Sequence, residues 1–378
     1  MMRRGGDHAA HREDRADARA GGVDPEGQLS SVPPGGLPAR RLRRSLEVFA
    51  AASGDVFVLR GGSTAEWVIR DAADYERGLL EALQDSAHTA ASLAVHLGCS
   101  PVDAAAALAQ LDELGLLEPA RPSSRHDRQL IYLGDDGQAR LRRSRVAVIG
   151  CGGLGCWALA GLACAGIGTL VLVDDDVVAL DNLNRQILYR ACDVGRPKVL
   201  AARDALAAFD PELELVVHQR RVTSERDVAE VIEGTDVVVE VADWPPHLLA
   251  RWVDAACRAL AIPHISAGQD PPKLRVGPFF LADRPGCLQC LETAARRDFP
   301  LYDELAEARS RRPSTAATLG AASGIVGSLI AMEVIHHLTG MTTPATANRA
   351  VLLDLQTLSL TAEAVAPQTQ CACTLSGS

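Results

Sequence analysis

Residues 145–155, RVAVIGCGGLG, constrain the fold of this chain more than any other stretch. The apolar run RVAVI ends at Gly150, and Gly150, Gly152, Gly153 and Gly155 then lead into an apolar helical segment, Leu154–Ala165. Glycines there permit a tight turn and let backbone N–H groups approach a phosphate at the helix N-terminus. More apolar runs follow, TLVLVD (169–174), ELVVH (214–218), DVVVEVA (236–242) and PHISA (263–267), with helical segments between them. Buried apolar strands alternating with helices predict an α/β fold built on a doubly wound, mainly parallel, Rossmann-like sheet. Asp174 closes the second strand 21 residues after Gly153, where a carboxylate reaches ribose hydroxyls. Up to this point the pattern specifies a nucleotide and leaves NAD and ATP open.

The next stretch discriminates between them. DNLNRQILYRACDVGRPK (181–198) sets Asn182, Arg185, Gln186 and Lys198 just beyond the second strand. Hydride transfer has little use for Arg and Lys beside the phosphates. Attack on an α-phosphate builds negative charge on its oxygens, which preorganised cations stabilise. Of 38 basic residues only Lys198 and Lys273 are lysines, so a lysine in this arginine-biased chain is a stronger site candidate than usual. Asp243, at the end of the fourth strand, is the candidate carboxylate for Mg2+.

Residues 1–44, rich in Gly, Pro, Ala and mixed charge, are expected to be a disordered lead-in, with order starting near Ser45. Within 45–120, two β runs around Gly61-Gly62 read as a hairpin, and three helical segments follow, making a small winged-helix-like α+β domain. It carries twelve acidic side chains against three arginines, and its third helical segment, 101–113, has no Lys or Arg. Phosphate neutralisation dominates nucleic-acid affinity, so such a surface would repel a duplex. Two roles are left for it, peptide binding along a strand edge or a purely structural one. No run of 18 apolar residues free of charge occurs, so no membrane-spanning helix is expected. The N-terminus lacks the apolar stretch of a secretory signal. Ten cysteines without one suit thiols or metal ligands in a reducing cytoplasm.

Cys287-Leu-Gln-Cys290 and Cys371-Ala-Cys373 are two pairs far apart in sequence, a set suited to a structural tetrahedral zinc site that ties the tail to the core. The tighter CxC bite leaves a redox pair or an empty, degenerate site as the other readings. Cys151, Cys156 and Cys164, on the glycine loop and its helix, read as small packing residues.

RHDRQLIYLGDDGQARLRRSRVAVIGCGGLG (125–155), VDDDVVALDNLNRQILYR (173–190) and DVGRPK (193–198) in combination closely resemble the ThiF/MoeB/HesA-type adenylyltransferases, relatives of ubiquitin-activating enzymes, over about 125–378. The resemblance implies a homodimer that binds ATP with Mg2+ and adenylates the C-terminal carboxylate of a small protein or peptide, releasing pyrophosphate. By position it implies that Gly153 touches the nucleotide and Asp174 the ribose, and that Asn182, Arg185, Gln186 and Lys198 line the phosphates. It also implies that Asp243 holds magnesium and that Arg128 reaches into the neighbouring subunit's site. Trp244 departs from the Asn usual after that aspartate, Asp181 from a frequent Ser, and the CxC pair from CxxC.

No cysteine lies between Cys290 and Cys371, where many relatives carry the thiol of a thioester or persulfide relay; RRPSTAATLGAAS (311–323) offers only hydroxyls. An adenylating region without that thiol, behind a small acidic domain, resembles the MccB-like adenylyltransferases of ribosomal-peptide (RiPP) biosynthesis. Residues 45–120 are likewise similar to a RiPP recognition element, the module that binds a leader peptide. Adenylation of a precursor peptide is therefore expected, with adenylation of a ubiquitin-like sulfur carrier as the alternative. A non-catalytic leader-binding scaffold and a nicotinamide oxidoreductase are both disfavoured by the set Asp174, Asn182, Arg185, Lys198 and Asp243.

Overall fold

The computed structural model describes residues 3–4, 38–60, 65–120, 124–311, 317–371 and 373. They divide into two compact units, residues 1–132 and 133–378.

In the first unit the strands are β1 (Arg3–Arg4), β2 (Arg40–Leu42), β3 (Leu46–Ala50), β4 (Val56–Arg60) and β5 (Ala65–Ile69). The helices α1 (Asp74–Asp85), α2 (Ala90–Leu97) and α3 (Pro101–Glu113) follow, then strand β6 (Leu117–Pro119). Local chemistry sets the helix ends. Thr89 and Ser100 accept the Ser92 and Asp103 N–H groups as N-caps, Pro101 occupies the first turn of α3, and Gly98 leaves α2 at φ 65. β3, β4 and β5 form an antiparallel meander with β1 on the outer edge of β5, while β2 pairs with β6. The expected hairpin is β4 and β5, its Gly61-Gly62 turn lying outside the described residues, and β3 is a further strand. Structure also begins before Ser45, because pairing with β6 and burial of Leu42, 1% exposed, draw β2 into the fold. The remainder of the lead-in, 5–37, lies outside the described residues.

Helix α4 (Leu130–Arg143), broken at Gly134, leads into the second unit. There follow β7 (Arg145–Ile149), α5 (Gly153–Ala165), β8 (Thr169–Val173), α6 (Lys198–Phe209), β9 (Glu214–His218), α7 (Glu225–Ile232), β10 (Val237–Glu240) and α8 (Leu248–Ala259). The chain continues through β11 (His264–Asp270), β12 (Lys273–Phe280), α9 (Leu288–Asp298), α10 (Tyr302–Ser310), α11 (Gly320–Thr339), β13 (Arg349–Asp354) and β14 (Ser359–Ala364). The sheet runs β14-β13-β12-β11-β10-β7-β8-β9, with parallel pairing from β9 across to β11 and antiparallel pairing beyond it. Its period-2 alternation feeds two cores. Val146 and Val148 face α5 and α11, and Ala147 and Ile149 face the side covered by α7 and α8. Chain order reverses between β7 and β10, and ligands of such sheets bind beyond the carboxyl ends of the strands at that reversal.

Helix α11 has the length and hydropathy of a membrane span. Ten of its residues are nevertheless buried, among them Val326, Ile330 and Val334 in the core that α5 shares, and Glu333 accepts the Thr346 N–H and Oγ–H at 2.6 Å each.

Candidate active site

The glycine loop is fixed by two close approaches. Gly150 has φ +105, and a Cβ there would stand 2.7 Å from the Ala242 backbone nitrogen at the end of β10. A Cβ on Gly155 would stand 1.9 Å from the Gly150 carbonyl oxygen, so only glycine lets α5 start this close to β7. Asp174, just past β8, ties the loop down: one carboxylate oxygen accepts the Cys151 N–H at 2.7 Å and the other the Asp176 N–H at 2.8 Å.

A cavity of about 420 Å³ opens at the carboxyl ends of β7, β8 and β10. Gly150, Gly152, Asp174, Lys198, Asp243 and Trp244 lie on its walls. Lys198 begins α6 and is buried, 7% exposed, with its Nζ 2.9 Å from the Asp176 carboxylate. Burial works against its charge, but the field of Asp174 and the hydrogen bond to Asp176 outweigh that and hold its pKa above the ordinary lysine value. Burial raises the Asp174 carboxyl, with Lys198 pulling it back. Asp243 is raised by the same loss of solvent in the cleft, opposed by the charges of Lys198 and Arg185. A buried cation thus faces two carboxylates across a space large enough for a small-molecule ligand.

The other expected residues gather around the helix end rather than on the cavity wall. Arg185 packs over Gly153, where a Cβ would lie 3.4 Å from its Cγ and Cδ, and its guanidinium donates to the Asp181 carbonyl and the Asn184 side chain at 2.9 Å each. Gln186 is buried with its Nε2 4.0 Å from where a Gly152 Cβ would be, and its buried Oε1 has no hydrogen-bond partner among the described residues. Asn182 is buried and accepts the Ala179 N–H at 3.2 Å. Arg128 belongs to the first unit. Sequence reasoning missed Asp176, which holds Lys198, and the Arg220-Arg221 pair on the cavity wall, where Arg221 bonds Asp175 at 2.8 Å. Both carried a signal: Asp176 in the Asp174–Asp176 run, and the arginines just past the carboxyl end of a parallel strand.

The four paired cysteines converge. Sγ atoms of Cys287 and Cys371 are 3.5 Å apart, as are those of Cys290 and Cys373, and Cys287 and Cys290 are 4.0 Å apart. All four lie within 4.8 Å of one another. Sulfurs 2.3 Å from a tetrahedral zinc stand about 3.8 Å apart, so the CxC bite is compatible with that geometry. Backbone N–H groups of Gly286 and Gln368 point at the Cys373 and Cys290 sulfurs at 3.4 and 3.3 Å, as they do around metal thiolates. Cys151 and Cys156 are packed as expected, whereas Cys164 is exposed on the outer side of α5 and is not a packing residue.

The ThiF family model matches residues 126–375. The sulfur carrier protein ThiS adenylyltransferase of Escherichia coli K12 is 37% identical over 232 residues, covering 60% of this chain and 85% of its own length. The molybdopterin-synthase adenylyltransferase of the same organism is 34% identical over 235 residues, 62% of this chain and 88% of its own. Among solved structures, PaaA overlays with a TM-score of 0.66 at 24% identity, covering 85% of this chain and 98% of its own. Escherichia coli MccB, crystallised with AMPCPP and MccA, overlays at 0.64 with 20% identity, covering 90% and 100%. These structures share the fold, and the matched sequence spans the glycine loop, Lys198, Asp243 and all four clustered cysteines. The chain belongs to the ThiF family and is an ATP-dependent adenylyltransferase of the ThiF/MoeB type.

Proposed function

We propose that the chain adenylates the C-terminal carboxylate of a ribosomally made precursor peptide. A carboxylate oxygen attacks the α-phosphorus of ATP, the bond to the bridging oxygen breaks, and pyrophosphate leaves an acyl adenylate behind. The observation that carries the peptide substrate is the extent of the fold likeness. It takes in 90% of this chain for MccB, whereas the second unit alone, 133–378, is about two thirds of it. The MccB crystal contains MccA, whereas the match to the ThiS adenylyltransferase takes in 60% of this chain while covering 85% of that protein.

In this reading the N-terminus of α5 and the N–H groups of Gly152, Gly153 and Gly155 receive the phosphates, Gly150, whose N–H goes to the Val173 carbonyl at 2.9 Å, makes the turn beneath them, and Asp174 faces the ribose. Lys198 and Arg185 meet the negative charge that develops on the α-phosphate oxygens, and Arg128 does so from the partner subunit. Asn182 and Gln186 hold the loop beside them. When bound, Mg2+ offsets phosphate charge, and Asp243 is the carboxylate that would hold it. Cys287, Cys290, Cys371 and Cys373 would hold structural zinc, fastening the tail after β14 to the start of α9. A homodimer is supported by the apolar stripe Ile325, Leu329 and Met332, at helical spacing on the exposed side of α11.

The 37% identity to the ThiS adenylyltransferase favours a second reading, activation of a ubiquitin-like sulfur carrier. ATP–pyrophosphate exchange with Mg2+ separates the two. Exchange that depends on a short precursor encoded beside this gene supports the first. Exchange that requires a Gly-Gly-terminated carrier supports the second and defeats the first.

A further inference from the structure

Arg220 and Arg221 stand on the wall of the cavity at the carboxyl ends of the strands, and the sheet order fixes where along the cleft they lie. The strands run β10, β7, β8, β9, each about 4.8 Å from the next. Asp243 follows β10, the glycine loop follows β7, Asp174 follows β8, and Arg220 and Arg221 follow β9. The Asp174 N–H reaches the His218 carbonyl at 3.3 Å, so Asp174 rests against the end of β9, three residues before Arg221. With phosphates at the glycine loop and the ribose at Asp174, the base of the nucleotide falls at the β9 end, a placement that rests on the reading of the site proposed above. The wall there is apolar. Val173, Val222 and Leu249 line it, and all three are buried members of the core on the α7 and α8 side.

The two arginines differ in what holds them. Both ends of the Arg220 fork are taken up by α7, by Asp227 at 2.5 Å and Glu230 at 3.1 Å. Arg221 gives only its Nε, to the Asp175 carboxylate at 2.8 Å, and its side chain is 56% exposed. An exposed pair of that kind adds little to stability, but it holds a guanidinium at the rim of an apolar slot. We propose that Arg221, braced by Asp175, covers the face of the nucleotide base, with Val222 and Leu249 on the apolar wall, and thereby favours purines over pyrimidines. A planar guanidinium stacks on an aromatic face and is attracted to it, and the two rings of a purine offer more of that face than one. Lysine, a compact charge without a plane, does not replace it.

The test measures binding of magnesium nucleotides to the full chain by calorimetry, with no acyl substrate present, so it is independent of which carboxylate the enzyme activates. Arg221→Ala should weaken ATP about three- to thirtyfold and CTP less, so that the preference for ATP over CTP narrows. Arg221→Lys should bind ATP no better than Arg221→Ala does. Asp175→Ala should weaken ATP too, and adding it to Arg221→Ala should cost nothing more, because Asp175 acts through the arginine. With ethenoadenosine triphosphate bound, acrylamide should quench the base fluorescence more strongly in Arg221→Ala, whose bound base has an uncovered face. Unchanged ATP affinity, an equal loss for ATP and CTP, or unchanged quenching would overturn the proposal. Rescue by lysine would do the same, since it would leave Arg221 a point charge for the phosphates. The ribose placement is read separately from Asp174→Asn. Full ATP affinity in that variant defeats the placement, whereas its loss beside an unaffected Arg221→Ala defeats only the role given to Arg221.

Discussion

Lys198 combines burial, a carboxylate at 2.9 Å and a place on the wall of the cavity. Lys198→Ala removes a preorganised cation from the phosphates, and exchange should fall about 10²–10³-fold. ATP binding, followed by calorimetry, should be less affected than turnover. An unchanged exchange rate would remove Lys198 from the chemistry. Glu240 makes a separate case. Burial lifts its carboxyl from 4.5 to about 7 in the folded protein, with Arg275 opposing and Asp243 adding to the rise. The folded state therefore keeps a proton that the unfolded chain loses, and stability falls as pH climbs between those two values, levelling above the higher one. Glu240→Gln does not titrate. Its stability relative to the parent should rise by roughly 2–3 kcal/mol between about pH 5 and pH 8 in urea unfolding. A difference that does not change with pH would show that Glu240 ionises normally. Lys198 and Asp243 were legible in the sequence because rarity and strand-end position marked them. Glu240 was not, because a Glu inside the apolar run DVVVEVA carries no sign of how deeply it is buried.

At the scale of elements, the β7–loop–α5 unit depends on one missing methyl group. Gly155→Ala would push a Cβ to 1.9 Å from the Gly150 carbonyl, and backbone there has no side chain to swing away. The cost should lie at or above the top of the roughly 1–3 kcal/mol typical of overpacking, with ATP binding lost alongside. Urea unfolding beside ATP titration measures both, and an unperturbed variant would mean that α5 starts elsewhere. The cysteine cluster is an element-scale device too. Elemental analysis should find one zinc per chain, and Cys373→Ser should lower that content and speed proteolysis after β14 (Ser359–Ala364). A fully thiol-titratable, metal-free protein of unchanged stability would leave the four sulfurs as mere neighbours. The parallel strands β7 to β11 were readable because apolar residues run on both faces. β12 to β14 were not, since QDPPKLRVGPFF breaks the pattern with proline and glycine and β14 is exposed throughout.

For the whole molecule, the two units predict separable losses. A chain lacking residues 1–120 should bind ATP yet fail in peptide-dependent exchange, whereas carrier activation would survive the cut. Arg128 is assigned to the neighbouring subunit's site, a claim that only the assembly can test. Arg128→Ala and Lys198→Ala proteins should each be inactive alone. In a mixed dimer, the subunit that keeps Lys198 receives Arg128 from its partner and forms one working site, while the other site lacks both. Random reassortment of equal amounts makes about half of the dimers mixed with one site of two active, so activity should return to about a quarter of the parent's. If Arg128 served its own chain, neither site of a mixed dimer would be whole and mixing would restore nothing. Partial rescue therefore requires both a dimer and a shared site. Its absence, with mixed dimers demonstrated by mass, would place Arg128 outside the chemistry of the neighbouring subunit.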